Sequence, residues 1–442
     1  MMNRKEEKLS AKIRVYPRRK NSRRTVWSWC LYDFGNSAFT TLVVTFIYAT
    51  YFTKVIAPDE VTGTVLWSRG VTITALTVAL LSPFLGALAD RGGYRKLFLA
   101  LATAVCVLGS IMLYTPLSGE ITQALMWFVI ANIAFEMGCV FYNAFLPNIT
   151  TQDNIGRVSG YGWSLGYIGG LAAMFVAMVG FVNPEVPWFG LTKEAGQNIR
   201  ATNLLVAGWF ALFSIPIFLW VREDKSRISP SGVPLIRAAW SQLVETFRHV
   251  RQYRQVVRFL IARMIYNDGL VTIFAFGAIY AGGTFDFTIE EIMIFGIALN
   301  LAAGIGAFLM GFLDDALGGK RTIQISLLGL ILTTVLAALT THRLVFWIAG
   351  IGIGLLVGPN QSASRSLISR FSPPDKENEF FGFFAFSGKA TAFIGPFLFG
   401  LMTQLFNSQR AGVWIVAILF IIGAFILYTV DEREGVQAAE RP

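Results

Sequence analysis

Histidine occurs only twice in this 442-residue chain, at His249 and His342, and cysteine three times, at Cys30, Cys106 and Cys139. The cysteines fall singly within apolar runs, which excludes a disulfide framework and makes them small core residues. With so few soft ligands a zinc cluster is excluded as well. Charge is also scarce: 14% of the residues are Asp, Glu, Lys or Arg, against roughly 25% in a soluble domain. The chain carries no glycine-rich phosphate loop and no nucleophile set beside a base, which argues against an ATP-driven pump and against an enzyme, and calls for no cofactor.

What is abundant is apolar surface in long runs. Hydrophobic residues make up 54% of the chain and phenylalanine alone occurs 38 times. Crossing a hydrocarbon core of about 30 Å takes about 20 mostly apolar residues. Runs of that length predict twelve spans, at 27–53, 66–88, 97–116, 121–145, 158–182, 202–221, 256–281, 290–312, 322–339, 344–366, 380–404 and 411–430. The first run follows a basic segment, as in a signal peptide. It is too long for one and lacks a small-residue cleavage site, so it is expected to remain as the first span. The predicted class is an all-α membrane protein.

The net charge of +10 matters less than its placement. With an even number of spans both termini lie on one side. If that side holds the basic tail 1–26, its segments collect 29 of the 37 Lys and Arg, counting Arg365, Arg370 and Lys376 as one such segment, and the opposite side holds five. This bias predicts cytoplasmic termini in the cell membrane. A nucleic-acid arm would resemble the tail, but the positive-inside pattern accounts for it without that partner. The polar stretch 222–254 divides the spans into bundles at 27–221 and 255–430, with a tail at 431–442. Within it Ile236, Trp240, Leu243, Phe247 and Val250 recur at helical spacing, apart from Arg237, Glu245, Arg248 and Arg251. That pattern predicts an amphipathic helix on the anionic inner leaflet.

The halves echo each other. Gly86 to Lys96 reads GALADRGGYRK, and Gly311 to Arg321 reads GFLDDALGGKR. Gly156, Tyr167, Ile168 and Gly169 similarly match Gly382, Phe393, Ile394 and Gly395, and Tyr32, Asp33 and Gly35 match Tyr266, Asn267 and Gly269. Parallel repeats of this kind build many secondary transporters. Gly162, Gly166 and Gly170 leave one face of the fifth span bare, with the eighth span (Gly296, Ala303, Gly304, Gly311) as a candidate partner.

Ionisable residues inside spans are costly in lipid and therefore point to a cavity or a partner. Asp33, Glu136, Arg263, Asp268 and Lys389 are such residues, with Asn36, Asn143, Asn267, Asn360 and Gln361 on neighbouring polar positions. A shared aqueous cavity between the halves is the functional reading. Structural hydrogen bonds or ion pairs between helices are the bland one.

The loop Gly86, Asp90, Arg91, Gly93, Arg95, Lys96 resembles the signature of the major facilitator superfamily. The second copy, Gly311, Asp315, Gly318, Lys320, Arg321, has Ala316 where a base is usual. The segments WCLYDFGNSAFTTLVVTF, FYNAFLPNI, SGYGWSLGYIGGL, YNDG, GPNQSASRSL and FFGFFAFSGKATAFIGP resemble the vacuole effluxer family, in a bacterial-type member. The resemblance implies the twelve-helix major facilitator fold, a cavity lined by the first, fourth, seventh and tenth spans, and alternating access. It also implies a small solute, with amino-acid efflux as the family's activity. Asp90 is expected to accept backbone N–H groups at a helix N-terminus across the halves, as a latch, or simply to cap a tight turn. Proton coupling through Asp33, Glu136 or Asp268 and facilitation without a coupled ion both stay open. A sensor that kept the fold, or an exporter of drugs or metabolites, is the alternative. The chain is expected to act as a monomer.

Overall fold

The computed structural model describes residues 22–223, 234–249 and 251–440, and among them there is no strand. The basic residues from Arg4 to Lys20, with Lys225, Arg227, Arg441 and the linker's Val250, lie outside the described residues. Among the described residues twelve helices are long and apolar enough to cross a membrane: Arg23–Ile56, Glu60–Gly92, Arg95–Met112, Ile121–Ile149, Ile155–Val182, Glu194–Trp220, Arg254–Phe285, Glu290–Leu317, Gly319–Leu339, Arg343–Phe371, Glu377–Phe406 and Gln409–Tyr428. We number them as spans one to twelve. Most extend beyond the apolar runs. The second has 33 residues, about 50 Å at 1.5 Å per residue, longer than the hydrocarbon layer. Its C-terminal end runs past the apolar run 66–88 into the signature loop.

Local chemistry sets several boundaries. The Asp59 carboxylate accepts the Thr62 N–H at 2.9 Å, which caps the second span and holds that carboxyl below its ordinary pKa. Thr288 and Glu291 form a reciprocal capping box on the eighth. Gly93 ends the second span with φ 61°, a left-handed conformation open to glycine at little cost. The first span widens into π-helical turns at Phe39–Phe46 and Phe52–Ile56. The eleventh breaks between two segments, Glu377–Lys389 and Ile394–Phe406.

Each half has its own apolar core. One gathers Trp29, Tyr32, Phe128 and Tyr142 with residues of spans one to six; Trp29 and Tyr142 stack at 4.6 Å. The other gathers Phe259, Tyr266, Phe371 and Phe420 of the second half, joined by Val140 and Ala144 of the fourth span. Large side chains such as Leu80 and Phe425 stand on the outer surface. In lipid these positions cost nothing, and association rests on close packing, often at small residues.

Glycine defines the seam between the halves. A Cβ at Gly86 of the second span would overlap the Asn378 carbonyl of the eleventh, and one at Gly382 would overlap the Ser82 carbonyl. Ser82 donates to the Gly382 carbonyl at 2.9 Å. The repeat-related pair behaves alike, since a Cβ at Gly156 of the fifth span would overlap Asp314 and one at Gly311 of the eighth would crowd Arg157. Four of the glycines that mark the internal repeat, Gly86, Gly156, Gly311 and Gly382, are thus points where the halves touch, whereas Gly35, Gly169, Gly269 and Gly395 pack within their own half. The Gly162, Gly166 and Gly170 stripe faces Asp33, Ser37 and Thr41 of the first span instead. The eighth span meets a different face of the fifth, carrying Gly156, Gly160 and Ser164.

The linker helix, Leu235–Arg248, departs from the expectation of a helix lying only on the leaflet. Ala239 and Leu243 pack on Phe84, Ala87 and Leu88 of the second span and Phe383 of the eleventh. Gln242, buried, donates to Glu379 at 2.5 Å. Ile236 and Trp240 remain exposed. Ala239 and Leu243 thus dock across the seam while Ile236 and Trp240 of the apolar stripe face outward.

Candidate functional site

Three layers of polar contacts join the halves, running from the end of the molecule that carries the signature loops towards the middle of the spans. The outermost layer is built on those loops. Asp90 accepts from the Asn378 N–H at 3.1 Å, from Asn378 Nδ2 at 2.6 Å and from the Glu379 N–H at 2.9 Å, at the start of the eleventh span. Arg95 reaches Asp90 at 3.4 Å, Glu377 at 3.1 Å and the Ala144 carbonyl at 2.9 Å. Asp315 mirrors Asp90 by accepting from the Gly156 N–H at 2.8 Å and Arg157 Nε at 2.6 Å, at the start of the fifth span. Helix N-termini present unpaired N–H groups and a partial positive charge, which a carboxylate satisfies.

Other signature residues stay within their half. Lys96 donates to the Val221 carbonyl at 2.9 Å and Lys320 to the Tyr428 carbonyl at 3.0 Å. Arg91 is half-exposed, 4.0 Å from Glu245 of the linker helix, and Arg321 is exposed. Asp314, one residue before Asp315, pairs with Arg370 at 2.6 Å and with Ser366. Glu432 of the C-terminal helix caps the ninth span through the Gly319 and Lys320 N–H groups.

The second layer centres on Arg365 of the tenth span, which is 3% exposed. It was grouped with the cytoplasmic basic residues on sequence, and the structure places it inside the protein. Its Nη1 donates to Asp33 at 2.8 Å and to Asn143 at 3.2 Å, its Nε to the Ser159 hydroxyl at 3.0 Å and its Nη2 to the Ser159 carbonyl at 2.7 Å. The Trp29, Trp163 and Tyr142 rings surround it, with centroids 4.7, 5.5 and 5.9 Å from Cζ. All of these partners belong to the other half. Asn36, one turn beyond Asp33, is buried with Nδ2 unpaired.

In the third layer Lys389 Nζ meets Glu136 at 2.5 Å, joining the eleventh span to the fourth. These side chains keep 32% and 20% of their surface accessible. Lys389 ends the helical segment before the break, where a helix terminus favours a cation. Tyr167 donates to Gln361 at 3.2 Å nearby in the same seam, between spans five and ten.

Four candidate residues stand elsewhere than the shared cavity expected of them. Arg263 donates to the Phe384 carbonyl at 2.7 Å and Ser387 Oγ at 2.8 Å, and stacks 3.6 Å over the Phe384 ring. Asn267 donates to the Gly388 carbonyl at 3.1 Å. Asp268 is buried beside Thr391 and Thr272. Asn360 donates to Ser326 at 3.0 Å. All four contacts lie within the second half, because helical spacing fixes which residues share a face but not where that face points. Arg263 and Asn267 still brace the segment that ends in Lys389.

Residues 59–440 match the family described as "Vacuole effluxer Atg22 like". An uncharacterized MFS-type transporter of Bacillus subtilis, YxiO, is 27% identical over 94% of this chain and 96% of its own length. Autophagy-related protein 22 of Yarrowia lipolytica is 23% identical over 70% of this chain, which spans 56% of the fungal protein. Among solved structures, the proton:xylose symporter XylE superposes with a TM-score of 0.73 over 93% of this chain and 96% of its own, at 12% identity. A bacterial homologue of the iron transporter ferroportin in its outward-facing state gives 0.67 over 92% and 98%, also at 12% identity. At such identities the likeness establishes the fold alone.

Proposed function

This chain belongs to the vacuole effluxer Atg22-like family of major facilitator transporters, and from that membership we propose that it exports amino acids across the cell membrane by alternating access. The observation that carries the reading is the Glu136–Lys389 pair, which sets one charge of each sign from opposite halves at a helix break. A neutral amino acid carries the complementary pair of charges, and its carboxylate and ammonium groups can replace each partner for the other. Coupling to protons would run through Glu136, the accessible carboxylate of that pair. The signature-loop end, closed in this structure, is read as cytoplasmic, which makes the closed state outward-facing.

Two measurements test this. Purified protein in liposomes, given a panel of labelled amino acids with and without a pH gradient, should move at least one of them saturably. Acceleration by the gradient would mark proton coupling. No counterflow of any amino acid would defeat the substrate class. For orientation, a single Cys replacing Lys193 should react with an impermeant reagent in intact cells and one replacing Gln437 should not, since basic residues crowd the side that holds the termini. The reverse labelling would invert the topology.

A further inference from the structure

Arg365 is far more deeply buried than the central pair, and every acceptor its side chain uses sits on the opposite half of the molecule. Asp33, Asn143 and Ser159 belong to spans one, four and five. When the halves part at the signature-loop end, the guanidinium loses all of them together. A buried guanidinium left bare is strongly unfavourable, so the open state needs a replacement anion or water in its place. The matching replacement is a carboxylate, whose two oxygens fit the planar N–H fork.

We infer that Arg365 forms a carboxylate-binding subsite of the state open at the signature-loop end, and that Asp33 fills this subsite as an internal stand-in while that end is closed. The inference rests on the transport reading above and adds a second station to the path, nearer the signature loops than the Glu136–Lys389 pair. A second feature points the same way. The indole N–H of Trp163, whose ring borders the guanidinium, is buried without a partner. Buried donors are ordinarily satisfied, and an arriving carboxylate supplies an acceptor for this one. A solute carboxylate on that side thus competes with Asp33, binds only after opening, and draws the population towards the open state by its differential affinity.

The test separates this role from that of a purely structural ion pair. In a background with Cys30, Cys106 and Cys139 replaced, spin labels at Tyr94→Cys and Pro374→Cys report the width of the closed end in nanodiscs. The probe is isovalerate, a bare carboxylate, with isovaleramide as its uncharged match. Isovalerate should widen the distance distribution of the otherwise wild-type protein and isovaleramide should not. Asp33→Asn should respond to isovalerate at concentrations about tenfold to a hundredfold lower, because a charge-assisted internal competitor is gone. Arg365→Gln should be open yet indifferent to isovalerate, and Arg365→Lys should respond weakly. Equal responses from Asp33→Asn and Arg365→Gln, or the same response to the amide, would overturn the subsite. If liposomes move no amino acid but the isovalerate response follows this pattern, the amino-acid reading fails and the carboxylate subsite stands.

Discussion

Glu136→Gln and Lys389→Met should each lower transport at least a hundredfold, while the double variant regains thermal stability without regaining transport. The first part follows from the geometry. Lys389 and Glu136 are 2.5 Å apart and only partly accessible, so removing one leaves the other charge desolvated without a partner. For a fully buried pair that costs about 3–5 kcal/mol; water at this site lowers the figure to about 1–3 kcal/mol. The pair links the halves, so the cost falls on the balance of conformations and on solute binding, and the two separate apolar cores should still fold. The double variant leaves no orphaned charge, and coupling between contacting residues makes its stability better than the sum of the singles. If the pair only held helices together, transport would return with stability. Initial flux in liposomes and the midpoint of thermal unfolding, measured on all three variants, decide between these outcomes. Recovery of flux in the double variant above about a third of wild type would reduce the pair to a structural brace.

How much of this was legible in the sequence depended on the distance over which each contact is made. Twelve spans follow from composition, because lipid demands apolar length within each helix. The repeat-related glycines were legible too, since Gly86, Gly311 and Gly382 each leave room for a neighbouring backbone and Gly156 for the Asp314 side chain, and the need for a bare Cα is local. Arg365 was not. It sits near the end of an apolar run beside Arg370, so hydropathy placed it with the cytoplasmic charges; its partner Asp33 is 332 residues away. A signal was available in the surrounding small polar residues. Ser362, Ser364, Ser366 and Ser369 are all buried, so every face of that helix end is covered by protein. A serine-rich, arginine-bearing stretch within a span is better read as a segment enclosed by two bundles than as an exit into water. Asp268 and Asn360 were assigned to the right helices and the wrong surroundings, since rotation about the helix axis is set by tertiary packing alone.

Asp90→Asn should shift the protein towards the state open at the signature-loop end by about 30- to 150-fold. The carboxylate serves three N–H groups at 2.6, 2.9 and 3.1 Å with two oxygens, at a helix start where negative charge is favoured. Asn keeps one acceptor. Its amide nitrogen would confront either the Glu379 N–H or the two donors of Asn378, donor against donor. Losing charge-assisted bonds of this kind costs about 2–3 kcal/mol, and each 1.4 kcal/mol is tenfold in an equilibrium. Asp315 should contribute less, because its partner Arg157 is 40% exposed and water competes for it. Arg95 keeps Glu377 and the Ala144 carbonyl in the variant, so the loop itself should hold its shape. The readout is a Ser362→Cys reporter, buried in the seam between spans five and ten. Its reaction with a maleimide should accelerate by at least tenfold in Asp90→Asn and further in Asp90→Asn with Asp315→Asn. Turnover should fall as labelling rises, because closing this end becomes the slow step of the cycle. An unchanged labelling rate together with wild-type flux would mean that Asp90 caps a turn and latches nothing.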